Sequence, residues 1–282
     1  MTRVAIKKGR NPQEMTVKAL EMVEARNAIP EGKPVLIKPN YINARHPSTG
    51  ITTDSRVIEG VVIFLRQHEV EEILVGEGSG HSDTIHAFEV AGVDSVAERW
   101  NVKMVDLNKD EFVEVHPPDP LALKKVKVAK TALESTIVSV PKLKLHRITG
   151  VTLSIKNMMG AMTPKGSMHS RNLSKNIADL CSIIKPSIAV IDGIIAGEGH
   201  ETSGNPLEMN LVIAGTDPVA VDTVGASVMD ASPDTVKHLT YSEQKGLGTS
   251  DLSRIEVVGE PIEKVRKKFR RSLSSRILGL LA

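Results

Sequence analysis

The chain has 282 residues, 40% of them hydrophobic and 25% charged, enough for one or two globular domains with a sizeable core. Aromatic residues make up only 2%, which argues against the stacking platforms of single-strand nucleic-acid binding, and the one cysteine, Cys181, rules out a disulfide framework or any cysteine-rich zinc or iron–sulfur site held by this chain alone. The net charge of +2 hides an asymmetry: from Pro261 onward there are seven Lys/Arg and one acid, leaving 29 basic and 33 acidic residues in the body, so no general nucleic-acid footprint is expected there.

In chain order, short apolar runs alternate with helical patterns. Val4–Lys8 reads as a strand. "PQEMTVKALEMVEARN" puts Met15, Ala19, Met22 and Val23 at helical spacing. "PVLIKPN" is a buried strand, followed by a helix over "TTDSRVIEGVVIFLRQHEV" capped by Thr53 or Asp54. "EEILVGEGSG" is a strand running into a Gly-rich turn, and "SDTIHAFEVAG" a helix with Ser82 as N-cap and Gly92 at its end. After the strand "VKMVDLN", the stretch "FVEVHPPDPLALKKVKVAK" reads as two short strands around a Pro-rich turn, a hairpin at a sheet edge. "STIVSVPKLKLH" is again a buried strand with a polar end. "NLSKNIADLCSIIKP" is a helix stopped by Pro186, and "SIAVIDG" and "NLVIAGTD" are strands. A helix begins at Asp217-Pro218, another follows over "SPDTVKHLTYSEQKGLG", and "SRIEVVGE" is a last strand.

This alternation predicts an α/β fold with a mostly parallel sheet flanked by helices. No linker divides the body. The expectation is one domain over 1–262, built as two lobes (about 1–110 and 130–262) with a cleft between them, or as one large sheet. In the tail, 263–282, Val265, Phe269, Leu273, Ile277 and Leu281 recur every fourth residue among basic residues, the pattern of an amphipathic helix. It would pack on its own body or on a membrane surface or partner, and deletion from Glu263 is expected to leave the body folded. The N-terminus lacks an apolar signal core and no run is long enough to span a bilayer, so the expected compartment is the cytoplasm.

Five strand ends carry polar residues: Lys38-Pro39-Asn40, Gly76 to Gly80, Pro141 to His146, Asp192-Gly193 and Thr216-Asp217. In open parallel sheets ligands bind outside the carboxyl ends of the strands, so these are expected to converge on one cleft. "GEGSGH" is neither a dinucleotide fingerprint nor a Walker loop; it is a turn, or a cradle for an anion that Glu77 would oppose. None of the nine histidines stands at metal-ligand spacing. His146 is distinguished by the neighbouring Lys142, Lys144 and Lys156. Such clustered cations need either an anionic ligand or internal partners such as Glu77, Asp192 and Glu198. Those three acids, with nearby histidines, are also the candidates for a divalent metal.

The strings "VLIKPN", "VGEGSG", "VPKLKLHRITGVTLSIKNMMG", "IDGIIAGEGHETSGNP", "AGTDPVAVDTVGASVM" and "GLGTSDLSRIEVVGE", in this order, resemble the domain-of-unknown-function 362 family from about Lys38 to Glu260. The resemblance implies the fold and little about activity. Relatives described as iron–sulfur proteins carry an added segment with clustered cysteines, from which this sequence departs, Cys181 standing alone. The family is also similar in architecture to the nickel-dependent lactate racemase family, without motif residues that can be matched one by one.

The passage "SIKNMMGAMTPKGSMHS", Ser154 to Ser170, holds four of the ten methionines together with Lys156, Lys165 and His169. Methionines fill irregular core gaps, which accounts for the apolar half. It does not account for Lys156 and Asn157, and a lysine beside such a run is partly desolvated, as catalytic lysines often are. The sequence therefore predicts an enzyme acting on a small carboxylate or phosphate. Lys156, His146 and Lys144 are the catalytic candidates, and Lys38, Asn40, Gly78, Ser79, Asn157, Lys165 and His169 the ligand-binding ones. The alternative is a non-catalytic ligand-binding or redox-complex subunit using the same cleft.

Overall fold

The computed structural model describes residues 1–168 and 172–271. In chain order its elements are β1 (Thr2–Lys8), α1 (Pro12–Met22), β2 (Val35–Pro39), α2 (Ser55–Gln67), β3 (Ile73–Glu77), α3 (Thr84–Ala91), α4 (Val93–Trp100) and β4 (Lys103–Asp106). There follow β5 (Phe112–Val115), β6 (Val126–Ala129), α5 (Lys130–Glu134), β7 (Thr136–Val140), β8 (Lys142–His146), β9 (Gly150–Thr152), α6 (Ser154–Asn157) and β10 (Met162–Thr163). The chain continues with α7 (Leu173–Cys181), β11 (Ile188–Glu198), β12 (Asn205–Gly215), α8 (Pro218–Val228), α9 (Lys237–Gln244), β13 (Ile255–Gly259) and α10 (Ile262–Val265).

One large sheet runs β13-β1-β12-β11-β7-β2-β3-β4, with β8 beside the distal part of β11 and β9 beside β8. Strands from both predicted lobes share it. The fold is α/β, as the alternation predicts, and most strand pairs are parallel; β12 runs antiparallel to both β1 and β11. Strand alternation divides the core into two layers. Val4, Ile6 and Leu36 face one side with α7, α8 and α9, and Ala5, Val35 and Ile37 face the other with α1, α2, α3 and α4. Each fully buried Val, Leu or Ile in these layers contributes about 1.5–3 kcal/mol. The predicted hairpin forms from β5 and β6, but in its own three-stranded sheet with β10.

Several local expectations are corrected. The N-cap of α3 is Asp83, whose side chain accepts from His86 N, not Ser82. Gly92 ends α3 in the left-handed region (φ 77°) and α4 starts at once, a helix the sequence reading did not separate. The tail is not one helix from Val265: α10 ends there, and the next five residues form neither helix nor strand. Val265 and Phe269 are buried in the core, while Lys267 N donates to Val228 O and Gly199 N to Arg270 O. This stretch straps the body, and deletion from Glu263 would strip core contacts. Leu273, Ile277 and Leu281 lie outside the described residues. Among the described residues no helix is long and apolar enough to cross a membrane.

Candidate functional site

A pocket of about 430 Å³ opens where β2, β3 and β8 end. Its floor is the polar end of the central strands. Lys38, the fourth residue of β2, is fully buried and donates through Nζ to Glu77 Oε1 (2.6 Å), Pro39 O (2.9 Å) and Asn157 Oδ1 (3.2 Å). Burial pushes the Lys38 amine down, and Glu77 works against that shift. Glu77 Oε2 also accepts from Tyr41 N (2.8 Å). Asn157 donates to Lys38 O (2.9 Å) and accepts from Asn40 Nδ2 (3.1 Å), fastening α6 to β2 across 119 residues of sequence and to the residue just after β2 across 117. Gly160 covers the Lys38–Glu77 pair so closely that a Cβ there would lie 2.6 Å from Lys38 Nζ. Gly78 is pressed against Gly160 in turn.

The walls come from β8, β9 and α6. Alternation puts Lys142 and Lys144 on the same face of β8, yet they meet different partners. Lys142 Nζ donates to Asp192 Oδ2 (2.6 Å) in a fully buried pair. Lys144 Nζ reaches two backbone carbonyls, Ile51 O (2.8 Å) and Glu201 O (3.2 Å), and lines the pocket. Burial first, then the Lys156 and Lys142 charges, push the Lys144 amine down to about 7.

Lys156 projects from α6 into the same pocket. It is partly accessible, and it makes no hydrogen bond or ion pair among the described residues. Burial pushes its amine down to about 8, with only the Glu201 charge opposing. Near Lys156, His238 of α9 is fully buried, and neither ring nitrogen has a partner among the described residues. Burial, then the Lys156 charge, push it down to about 3. The short α6 is held from behind by Asp222 of α8, which accepts from Ser154 N (2.8 Å), Ser154 Oγ (2.7 Å) and Ile155 N (3.0 Å). Desolvation pushes Asp222 up to about 7 despite these donors.

At the rim, His146 Nδ1 accepts from Ile148 N and Thr149 N (both 3.2 Å), so a neutral ring carries its proton on Nε2. That nitrogen faces Glu201 Oε1 at 3.7 Å. Glu201 also pairs with Arg147 (3.0 Å). Two buried pocket-lining atoms, Asn40 Oδ1 and Thr152 Oγ1, have no hydrogen-bond partner among the described residues. Lys165 lines the mouth beside Asn108, and burial lowers its amine.

A family model matches residues 35–227, more than half of the chain and every residue that lines the pocket. The chain belongs to the DUF362 family, a domain of unknown function. This DUF362 chain is also similar to the thylakoid-associated protein sll1697 of Synechocystis, 22% identical over 249 residues, which cover 85% of the chain and 76% of that protein. No solved structure matches it significantly.

Of the residues singled out from the DUF362 sequence, Lys38, Asn40, Glu77, Gly78, Lys144, His146, Lys156, Asn157 and Lys165 do come together. Ser79 does not: its hydroxyl donates to Tyr41 O (2.6 Å), so it fixes the loop after β2 instead of facing the pocket. His169 lies outside the described residues. The three acids proposed as metal ligands do not converge. Glu77 is committed to Lys38, Asp192 to Lys142 and Asp54 N, and Glu198 to Arg270 N at the strap. Among the described residues no group of three or more His, Cys, Asp or Glu is placed to hold a metal. Asp192 is not at a strand end but inside the eleven-residue β11. Thr216 and Asp217 are at the opposite edge of the sheet, because β12 runs against β11, and Asp217 caps α8 by accepting from Val219 N and Ala220 N. Cys181 is buried in α7 and its thiol is pushed up to about 12. The sequence reading missed Arg147, Thr152 and Glu201. Only Glu201 had a local signal, an acid beside His200 in the Gly-bounded turn between two strands.

Proposed function

We propose that the protein is an enzyme acting on a small organic anion, a carboxylate or phosphate, bound in this pocket. The observation that carries the reading is Lys156. A cationic side chain partly withdrawn from water, with no ion pair among the described residues, costs folding free energy, and an anion arriving in the pocket would supply the missing counter-charge. Lys144, bonded among the described residues to carbonyls alone, and Lys165 at the mouth add positive potential. Asn40 Oδ1 and Thr152 Oγ1 offer an acceptor and a hydroxyl to the rest of the ligand. His146 presents Nε2 for proton transfer, and Lys38, locked to Glu77, holds the floor.

A thermal-shift panel of carboxylates, phosphates and neutral analogues tests the reading. A fitting anion at about 100 times its Kd stabilises the fold by roughly 2.7 kcal/mol. The shift is expected to vanish in Lys156→Met. No shift from any anion, or an equal shift in the variant, defeats it. Binding without turnover of any bound anion leaves a ligand-binding subunit instead of an enzyme.

A further inference from the structure

Lys156 and Lys144 share a wall but not a role. Lys144 is almost fully buried, and its amine is already directed at two carbonyl oxygens. Lys156 is reachable from the pocket and its Nζ is held by nothing among the described residues, so a lone pair there can point at a ligand. The acid nearest in effect, Glu201, is engaged by Arg147 and faced by His146 and His200. The remaining titratable neighbour is the buried His238, which brings no counter-charge.

From this arrangement we infer that Lys156 is an imine-forming nucleophile, and that the ligand is an anion bearing an aldehyde or ketone, such as a 2-oxo acid or a phosphorylated aldehyde. The inference rests on the anion site proposed above and names its substrate class. The neutral Nζ attacks the carbonyl carbon, forming the C–N bond while the carbonyl oxygen takes up a proton. The carbinolamine then releases that oxygen as water, and the amine loses its protons to give the C=N bond. One amine and one carbonyl yield one imine and one water, with no oxidant or reductant. His146 Nε2–H is the proton donor on that wall. The ligand's anionic group sits toward Lys144 and Lys165. An amine brought down to about 8 by burial stays nucleophilic near neutral pH.

The test uses the full chain with glyoxylate or pyruvate and sodium cyanoborohydride at pH 7.5, followed by intact mass and peptide mapping. A lysine at about 8 instead of 10.5 holds on the order of a hundredfold more neutral amine, so reductive labelling of Lys156 should exceed that of surface lysines by at least about tenfold. Phosphate or acetate should protect it, and Lys156→Arg, which keeps the charge, should abolish labelling while retaining the anion-induced thermal shift. Labelling spread evenly over surface lysines, while the oxo acids still raise Tm, overturns the imine and leaves the anion site standing. Selective Lys156 labelling that acetaldehyde matches and phosphate does not block supports the imine and overturns the anion site. Absence of both labelling and thermal shift overturns both.

Discussion

Replacing a lysine by methionine should have opposite signs at two positions that lie in one pocket. Lys38 is a buried cation with a complete set of partners: Glu77, Asn157 and the Pro39 carbonyl. Lys38→Met leaves the Glu77 carboxylate, 2% exposed, without its counter-charge, and stranding a buried ion costs ~3–5 kcal/mol. Lys156→Met strands no partner among the described residues. Its amine is lowered from 10.5 to about 8, which at about 1.4 kcal/mol per unit is an upper figure of about 3 kcal/mol for holding the charge there at pH 7. Water reaching the partly open side chain reduces this, so the expected gain on removal is about 0–2 kcal/mol. At roughly 2–4 °C per kcal/mol, Lys38→Met should lower Tm by about 6 °C or more, and Lys156→Met should leave it level or raise it. Thermal and urea unfolding at pH 7 measure both, and Lys38→Met combined with Glu77→Met should recover only part of the loss, because the buried charge goes with its partner but Tyr41 N and Gly78 N lose their acceptor. A Lys156→Met variant that falls as far as Lys38→Met would refute the reasoning, since it would reveal an acid that depends on Lys156.

Two further outcomes follow from the same geometry. Because Lys144 and Lys156 are brought down to about 7 and 8, an anion draws protons onto them, so its affinity should fall as pH rises from about 6 to 9. Calorimetry in buffers of different ionisation enthalpy should show proton uptake near pH 7.5; in the free protein the same lowered amines add stability above about 10.5 that is lost as pH falls toward 7. Asp222→Ala leaves Ser154 N and Ile155 N buried without acceptors and should cost ~2–4 kcal/mol in urea unfolding, with weakened anion binding because α6 carries Lys156; Asp222→Asn, which keeps an acceptor, should cost less.

The parts of the site that were legible in the sequence are those fixed by local pattern. "VLIKPN", "ILVGEGSG" and "VPKLKLH" are apolar runs with polar ends, and such runs form buried parallel strands whose ends face one edge. That reasoning leads to Lys38 and Gly78; Lys144 and His146 reach the pocket differently from the expected polar strand end, because Lys142–His146 is itself a strand, β8. Asp217 follows an equally apolar run, but the direction of a strand is set by its connection, and the return through residues 199–204 is a hairpin that turns β12 around. No residue within "LVIAG" carries that information. Helix α4 was lost for the opposite reason, a stop signal at Gly92 followed without a gap by a new helix.

Which lysines are paired is the least local property of all, and it is the one on which the proposed function turns. Lys142 and Lys144 sit in the same short strand, on the same face, with a leucine after each. Against β11, Lys142 stands opposite Asp192 and Lys144 opposite Gly197, because the register between the two strands skips from one to the other. The first lysine therefore meets a carboxylate at 2.6 Å and becomes part of the core. The second meets a glycine and two carbonyls, and its charge is left for the pocket. Lys38 and Lys156 divide in the same way: one reaches an acid 39 residues later on the neighbouring strand, and the other rises from a four-residue helix with no acid in bonding range among the described residues. Two buried pairs therefore hold the floor of the sheet edge, and the two lysines left over share a wall above it. Among the described residues methionine at 156 would strip no acceptor of its donor, whereas at 144 it would strip Ile51 O and Glu201 O, so it is at Lys156 that the fold gives the charge no use and the proposed anion would.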